Sequence, residues 1–144
     1  MHVREVLKNK GGRVVTIDAK STVAEAVARL VQNNIGSLPV VDDGDRLIGV
    51  VSERDVLRLM HNRGDSFARE RVSDVMTCNP VTCTPDCDVD EVMGQMSERR
   101  IAKIPVVEGD RLVGIVSVGD VIKVMYERVH AENAHLKSYL HGYS

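Results

Sequence analysis

One block of this chain occurs twice. Leu38-Pro39-Val40-Val41-Asp42, followed by Gly44-Asp45-Arg46-Leu47-Ile48-Gly49-Val50-Val51-Ser52, returns as Ile104-Pro105-Val106-Val107-Glu108, followed by Gly109-Asp110-Arg111-Leu112-Val113-Gly114-Ile115-Val116-Ser117. A repeat of this kind constrains the fold first, because both copies must build the same supersecondary unit. The match extends outwards. Val3-Arg4-Glu5-Val6-Leu7 pairs with Val72-Ser73-Asp74-Val75-Met76, Val14-Val15-Thr16 with Pro80-Val81-Thr82, and Asp55-Val56 with Asp120-Val121. These matches place repeat 1 at 1–62, a polar linker at 63–71 and repeat 2 at 72–126, with a C-terminal helical extension at 127–144.

Each repeat reads as strand, helix, strand, strand, helix. Thr22 and Glu25 form a Thr-x-x-Glu capping box, and Asp88 with Glu91 stands at the same places in repeat 2. Behind these caps, Val23, Ala26, Val27 and Leu30 recur at helical spacing, as do Val89, Val92, Met93 and Met96. The central strands join through Asp43-Gly44 and Glu108-Gly109, where a glycine is expected to supply the positive φ of a tight hairpin. The second helix of each repeat is expected to start just after Ser52 or Ser117. A unit of about 55 residues buries too little apolar surface to stand alone. The expected fold is therefore α+β: two βαββα repeats packed sheet to sheet about a pseudo-twofold axis, with an extended C-terminal helix. Val118, Val121, Ile122, Met125, Val129, Leu136, Tyr139 and Leu140 mark an apolar stripe along that helix. The part from about Glu127 to Leu140 has no counterpart in repeat 1; it is read as a surface for a second subunit, in a homodimer, ahead of packing back onto its own chain.

Composition excludes several functions. A formal net charge of −2 gives no basic field for nucleic acid. The chain has one Phe and no Trp, so stacking on bases finds no platform. No apolar run is long enough to cross a bilayer, and the first residues are too charged for a signal peptide, so a cytoplasmic location is expected. Cys78, Cys83 and Cys87 lie in one stretch without a distant second pair of ligands. They are read as reduced packing residues, and no metal site is expected. The five histidines, at 2, 61, 130, 135 and 141, all lie outside the repeated motif. No G-x-S-x-G, P-loop or G-x-G-x-x-G pattern occurs either, so no catalytic residues are assigned and the chain is not read as an enzyme.

The h-P-V-V strands at Leu38–Val41 and Ile104–Val107, with the G-h-h-S-x-x-D motifs at Gly49–Asp55 and Gly114–Asp120, resemble the cystathionine-β-synthase (CBS) domain family, in the form of a stand-alone CBS pair. The resemblance covers residues 3 to about 126. It implies a disc-like module, commonly dimeric. Such modules bind AMP, ADP, ATP or another adenosine ligand, such as NAD(H) or S-adenosylmethionine, in clefts between the repeats. No obligatory cofactor is implied, and the regulated partner protein is unidentified. Carried over residue by residue, one cleft is lined by Thr82, Ala102 and Lys103 with Ser52, Arg54 and Asp55. The other takes Thr16, Gly36 and Ser37 with Ser117 and Asp120.

The motif is chemically sensible without the family. A Ser at a strand end that opens a helix presents N–H groups and a hydroxyl at the positive helix end, where phosphate is favoured. An Asp three residues on can accept from two adjacent ribose hydroxyls. Plain N-caps would use the same residue types, and only the repeat context favours binding. The first cleft holds two cations, Arg54 and Lys103, whose counterparts are Gly119 and Ser37. It is therefore expected to bind a phosphorylated ligand more tightly than the second. A different class of function stays open: a dimeric interaction module with vestigial clefts.

Overall fold

The computed structural model describes residues 1–11 and 13–141, with side chains described as far as residue 132. Its elements are α1 (Val3–Lys10), β1 (Ile17–Asp18), α2 (Val23–Asn33), β2 (Ser37–Val41), β3 (Leu47–Ser52) and α3 (Glu53–Arg63). A 3-10 turn at Gly64–Arg69 then leads to α4 (Val72–Val75), β4 (Thr77–Cys78), α5 (Val89–Arg99), β5 (Lys103–Glu108), β6 (Arg111–Ser117) and α6 (Val118–His141). The chain is thus α+β and ends in the long helix its sequence calls for. One sheet has the order β1-β2-β3-β4, and β5 pairs with β6 in a second.

Two compact units divide the chain: Met1–Gly12, Pro85–Ile104 and Ile115–Ser144 form one, and Arg13–Thr84 with Pro105–Gly114 form the other. The segment that opens each repeat lies with the helices of the other. In the larger unit Val72 N–H donates to Ser21 O at 2.9 Å, Ser73 N–H to Ala19 O at 3.0 Å, and Val23 N–H to Glu70 O at 2.9 Å. In the smaller unit the equivalents are Val3 N–H to Cys87 O at 3.0 Å, Arg4 N–H to Pro85 O at 2.9 Å and Val89 N–H to Met1 O at 2.9 Å. Val72 and Val3 are both wholly buried. A repeat that lends its first helix to its neighbour has no complete core of its own, which is the physical reason the two occur in tandem.

The core of the larger unit collects Ile17, Ala26, Leu30, Leu38, Val40, Val51 and Val72. A second cluster of Val23, Val56 and Leu59 takes Phe67 from the 3-10 turn, so part of the polar linker is packed. In the smaller unit Val3, Val6, Val89, Val92, Met96, Ile104, Val116 and Val121 are buried. Of these, Ile104 and Val116 lie on strands, where β-branched residues pack well, and the rest are the inward faces of α1, α5 and α6.

Register preserves the repeat. Ile17 pairs with Val40 in a parallel ladder, and sixty-six residues on Cys83 bridges Val106 in the same sense. Among the described residues, repeat 2 keeps this one bridge of its first strand. The hairpin ends of the two repeats also meet. Leu47 N–H donates to Asp110 O at 2.9 Å and Leu112 N–H to Asp45 O at 3.0 Å, either side of an Arg46–Arg111 bridge. The two bonds interchange when the repeats are exchanged, so a local twofold relation passes between the two arginines.

Three sequence expectations need correction. In the first hairpin the positive φ belongs to Asp45 (φ 60°), not Gly44, because the Asp42 carboxylate gathers Gly44 N–H and Arg46 N–H into a wider loop. Repeat 2, one residue shorter there, does place Gly109 at φ 65°. The second correction concerns the cap of α5. Asp88 accepts from Asp90 N–H at 2.8 Å and does not form a box with Glu91, whereas Thr22 and Glu25 make the full reciprocal box. Third, the first strand expected in repeat 2 is, among the described residues, reduced to the Cys83–Val106 bridge. Along α6, Val121 is buried, and Ile122, Met125 and Val129 are exposed. Leu136, Tyr139 and Leu140 lie outside the residues whose side chains are described.

Candidate functional site

The two Ser-x-x-Asp motifs sit where a strand turns into a helix. At β3–α3, Ser52 N–H donates to Asp55 Oδ2 at 2.8 Å, the Ser52 hydroxyl lies 3.0 Å from the same oxygen, and Asp55 N–H donates back to Ser52 Oγ at 3.3 Å. At β6–α6, Ser117 N–H donates to Asp120 Oδ2 at 3.0 Å and Asp120 N–H to Ser117 Oγ at 3.1 Å. Both motifs are thus capping boxes, with Asp in the place of the usual Glu. The capping reading is correct as far as it goes. At Asp55, however, it occupies one carboxylate oxygen, and Oδ1 accepts from no described residue.

The loop ahead of each h-P-V-V strand lies against the motif of its own repeat. Glu53 N–H donates to Gly36 O at 3.0 Å and Ser37 stands opposite Ser52, while Val118 N–H donates to Ala102 O at 2.9 Å. A Cβ at Gly36 would meet the exposed Glu53 carboxylate at 3.3 Å, which a small shift of that side chain relieves. Thr16 and Thr82 are half-buried and precede the residues that pair with Val40 and Val106. The Thr16 carbonyl accepts from the Arg29 guanidinium.

The residues assigned to each cleft divide between the compact units. Thr16, Gly36, Ser37, Ser52, Arg54, Asp55 and Thr82 belong to the larger, and Ala102, Lys103, Ser117 and Asp120 to the smaller. Arg54 and Lys103 are exposed, and neither makes an ion pair with a described residue.

The motif alignment overlooks one cation. Lys10, at the end of α1, places Nζ 2.8 Å from Asp120 Oδ2 and donates to Ile115 O at 3.1 Å. Burial pushes the Asp120 carboxyl up, but the Lys10 ammonium and the Ser117 donors outweigh it and hold the group below the ordinary range. No local signal in the motif points to Lys10. It lies more than a hundred residues earlier and aligns with the uncharged Asn79. Among the described residues no cluster of three or more His, Cys, Asp or Glu could hold a metal ion, and no helix is long and apolar enough to cross a membrane.

A tandem α+β repeat, with a self-capped Ser-x-x-Asp opening the last helix of each copy, defines the class to which this chain belongs. The CBS domain family model matches residues 3–62 and 72–127, and the chain belongs to that family. It is 34% identical over 148 residues to the mitochondrial CBS domain-containing protein CBSX3 of Arabidopsis thaliana, a match that covers 97% of this chain and 72% of that protein. The structure of the CBS-domain containing protein ATU1752 from Agrobacterium tumefaciens is 34% identical, with a TM-score of 0.78 over 87% of this chain and 99% of that one. The CBS domain pair of protein MJ0100, in complex with 5-methylthioadenosine and S-adenosyl-L-methionine, is 27% identical, with a TM-score of 0.73 over 89% of this chain and 98% of that one.

Proposed function

We propose that this chain is a non-enzymatic cytoplasmic regulatory module that binds an adenosine-containing ligand, AMP, ADP, ATP or NAD(H), through its two Ser-x-x-Asp motifs. The observation that carries this reading is Asp55, whose Oδ2 is fixed by Ser52 while Oδ1 accepts from no described residue. A carboxylate immobilised at a helix start is already oriented towards a vicinal diol, so little ordering entropy is lost when one binds. In this proposal Arg54 and Lys103 neutralise the phosphate of a ligand held with Ser52, Asp55, Thr82 and Ala102. Thr16, Gly36, Ser37, Ser117 and Asp120 serve the second, weaker cleft. The adenosine ligands in the MJ0100 pair support the ligand class. Occupancy would change how the chain is read by a regulated protein, which requires different affinities for two states.

A second reading has its own observation. Ile122, Met125, Tyr126 and Val129 are exposed on α6 at 55%, 40%, 67% and 55%, as expected of a helix that meets a second copy of the chain. In that reading the chain is a dimeric interaction module with vestigial clefts. Thermal shift with AMP, ADP, ATP, NAD(H) and S-adenosylmethionine separates the two. At a hundred times its dissociation constant a ligand stabilises by about 2.7 kcal/mol. Asp55→Ala should abolish most of the ligand-induced shift. Its own loss of the cap lowers the baseline in the absence of ligand and is subtracted. No shift with any of the five ligands refutes the binding reading and leaves the interaction module.

A further inference from the structure

We propose that Lys10 is a built-in competitor for the acceptor at Asp120, so that the two motif sites fill unequally and the one at Asp55 fills first. The proposal rests on the ligand-binding reading above. Its basis is an asymmetry in otherwise matched motifs. Asp120 Oδ2 receives the Lys10 ammonium at 2.8 Å as well as Ser117 N–H at 3.0 Å, whereas Asp55 makes no ion pair with a described residue. Lys10 is held in place from a second side by Ile115 O, 3.1 Å from Nζ. The Lys10 contact falls on Oδ2, the oxygen that also takes the Ser117 N–H, and Oδ1 accepts from no described residue, as at Asp55; a hydroxyl aimed at Asp120 therefore meets a carboxylate whose charge is already paired, and one aimed at Asp55 does not.

The Lys10 side chain is 39% exposed, so a ligand that draws on Asp120 can push it aside into water. Lys10 therefore raises the ligand concentration at which the second site fills without closing it. The expected asymmetry between the clefts has a source beyond Gly119 and Ser37: a cation that blocks rather than recruits.

The test uses the full chain with adenosine as probe, in an Asp55→Asn background that leaves Asp120 as the remaining motif acceptor. Adenosine carries no charge, so electrostatic effects on its binding report on the protein. Lys10→Met should tighten adenosine binding about fivefold, the equivalent of about 1 kcal/mol and the upper end for a partly exposed pair. Adding Asp120→Asn should abolish the gain. Raising ionic strength towards about 1 M, where screening acts within about 3 Å, should tighten binding when Lys10 is present and leave the Lys10→Met variant unchanged. An ion pair serving stability alone would produce neither effect. Equal adenosine affinity with and without Lys10 overturns the proposal, as does a gain from Lys10→Met that survives Asp120→Asn. The chain with Asp55 intact separates the two readings. If it binds adenosine or AMP through Asp55 while Lys10 has no influence at Asp120, only the role of Lys10 falls; if no version binds either probe, both fall.

Discussion

Replacing Gly49 with alanine tests why the stretch leading to the first Ser-x-x-Asp begins with glycine. Gly49 lies in β3, three residues before Ser52, where β4 crosses it in antiparallel register, Gly49 opposite Cys78 and Val50 opposite Thr77. A Cβ at Gly49 would stand 2.6 Å from Met76 Sδ and 2.9 Å from the Thr77 carbonyl oxygen. The thioether can rotate away, but the carbonyl belongs to the backbone of β4 and moves only with the strand. Overpacking of this kind costs about 1–3 kcal/mol. With roughly 3 °C lost per kcal/mol in a chain of this size, Gly49→Ala should lower Tm by about 3–9 °C. Met76→Ala in the same chain should recover only part of the loss, because the Thr77 contact remains. Gly94 is the control: it lies inside α5, where an added Cβ meets nothing within 4 Å. Gly94→Ala should stabilise by about 0.5–1 kcal/mol through helix propensity and a less flexible unfolded chain. Thermal denaturation of the three variants decides the matter. Gly49→Ala as stable as wild type would refute the close-approach argument for the motif glycine.

Further predictions concern caps and charge. Arg100 ends α5 at φ 56°, in the left-handed region where a side chain costs roughly 1–2 kcal/mol. Arg100→Gly should therefore raise the denaturation midpoint, less the added entropy of the unfolded chain; a fall would show that the arginine side chain contributes more than its backbone strain costs. Thr22→Ala removes one half of a reciprocal box, the Glu25 N–H to Thr22 Oγ1 bond, and leaves Thr22 N–H on Glu25 Oε2; it should cost about 1 kcal/mol, read by urea denaturation, whereas Glu91→Ala should cost little because Glu91 takes no part in the α5 cap. The lowered Asp120 carboxyl contributes stability that is present above its unfolded value near 3.9 and lost as pH falls through the folded one. In a carbon-detected NMR titration Lys10→Met should move the Asp120 midpoint upwards, and an unmoved midpoint would mean the ion pair does not set it.

Much of the molecule is legible in its sequence because the repeat does the work that an alignment of relatives would do. The two h-P-V-V strands and the helix starts after Ser52 and Ser117 follow from local chemistry that is written twice. The errors fall where that chemistry is ambiguous. Asp43-Gly44 looks like a tight turn, but the Asp42 carboxylate builds a wider one, and the choice depends on side-chain hydrogen bonds that a dipeptide pattern does not contain. The Asp88 cap reaches Asp90 rather than engaging Glu91, a difference of one residue along the helix.

What the sequence determined, then, is two copies of one unit, their α+β order and a Ser-x-x-Asp at the same place in each. Periodicity, capping residues and glycines act over a few neighbours, so they can be read along the chain. Only the tertiary structure decided that α1 and α4 are exchanged between the repeats, that the backbone of β4 crowds Gly49, and that Lys10 reaches Asp120. Each of these depends on residues distant in sequence being brought together by the burial of Val3, Val72 and their neighbours. That burial is non-directional, and it leaves no mark on the local pattern of charge that would announce which lysine meets which aspartate.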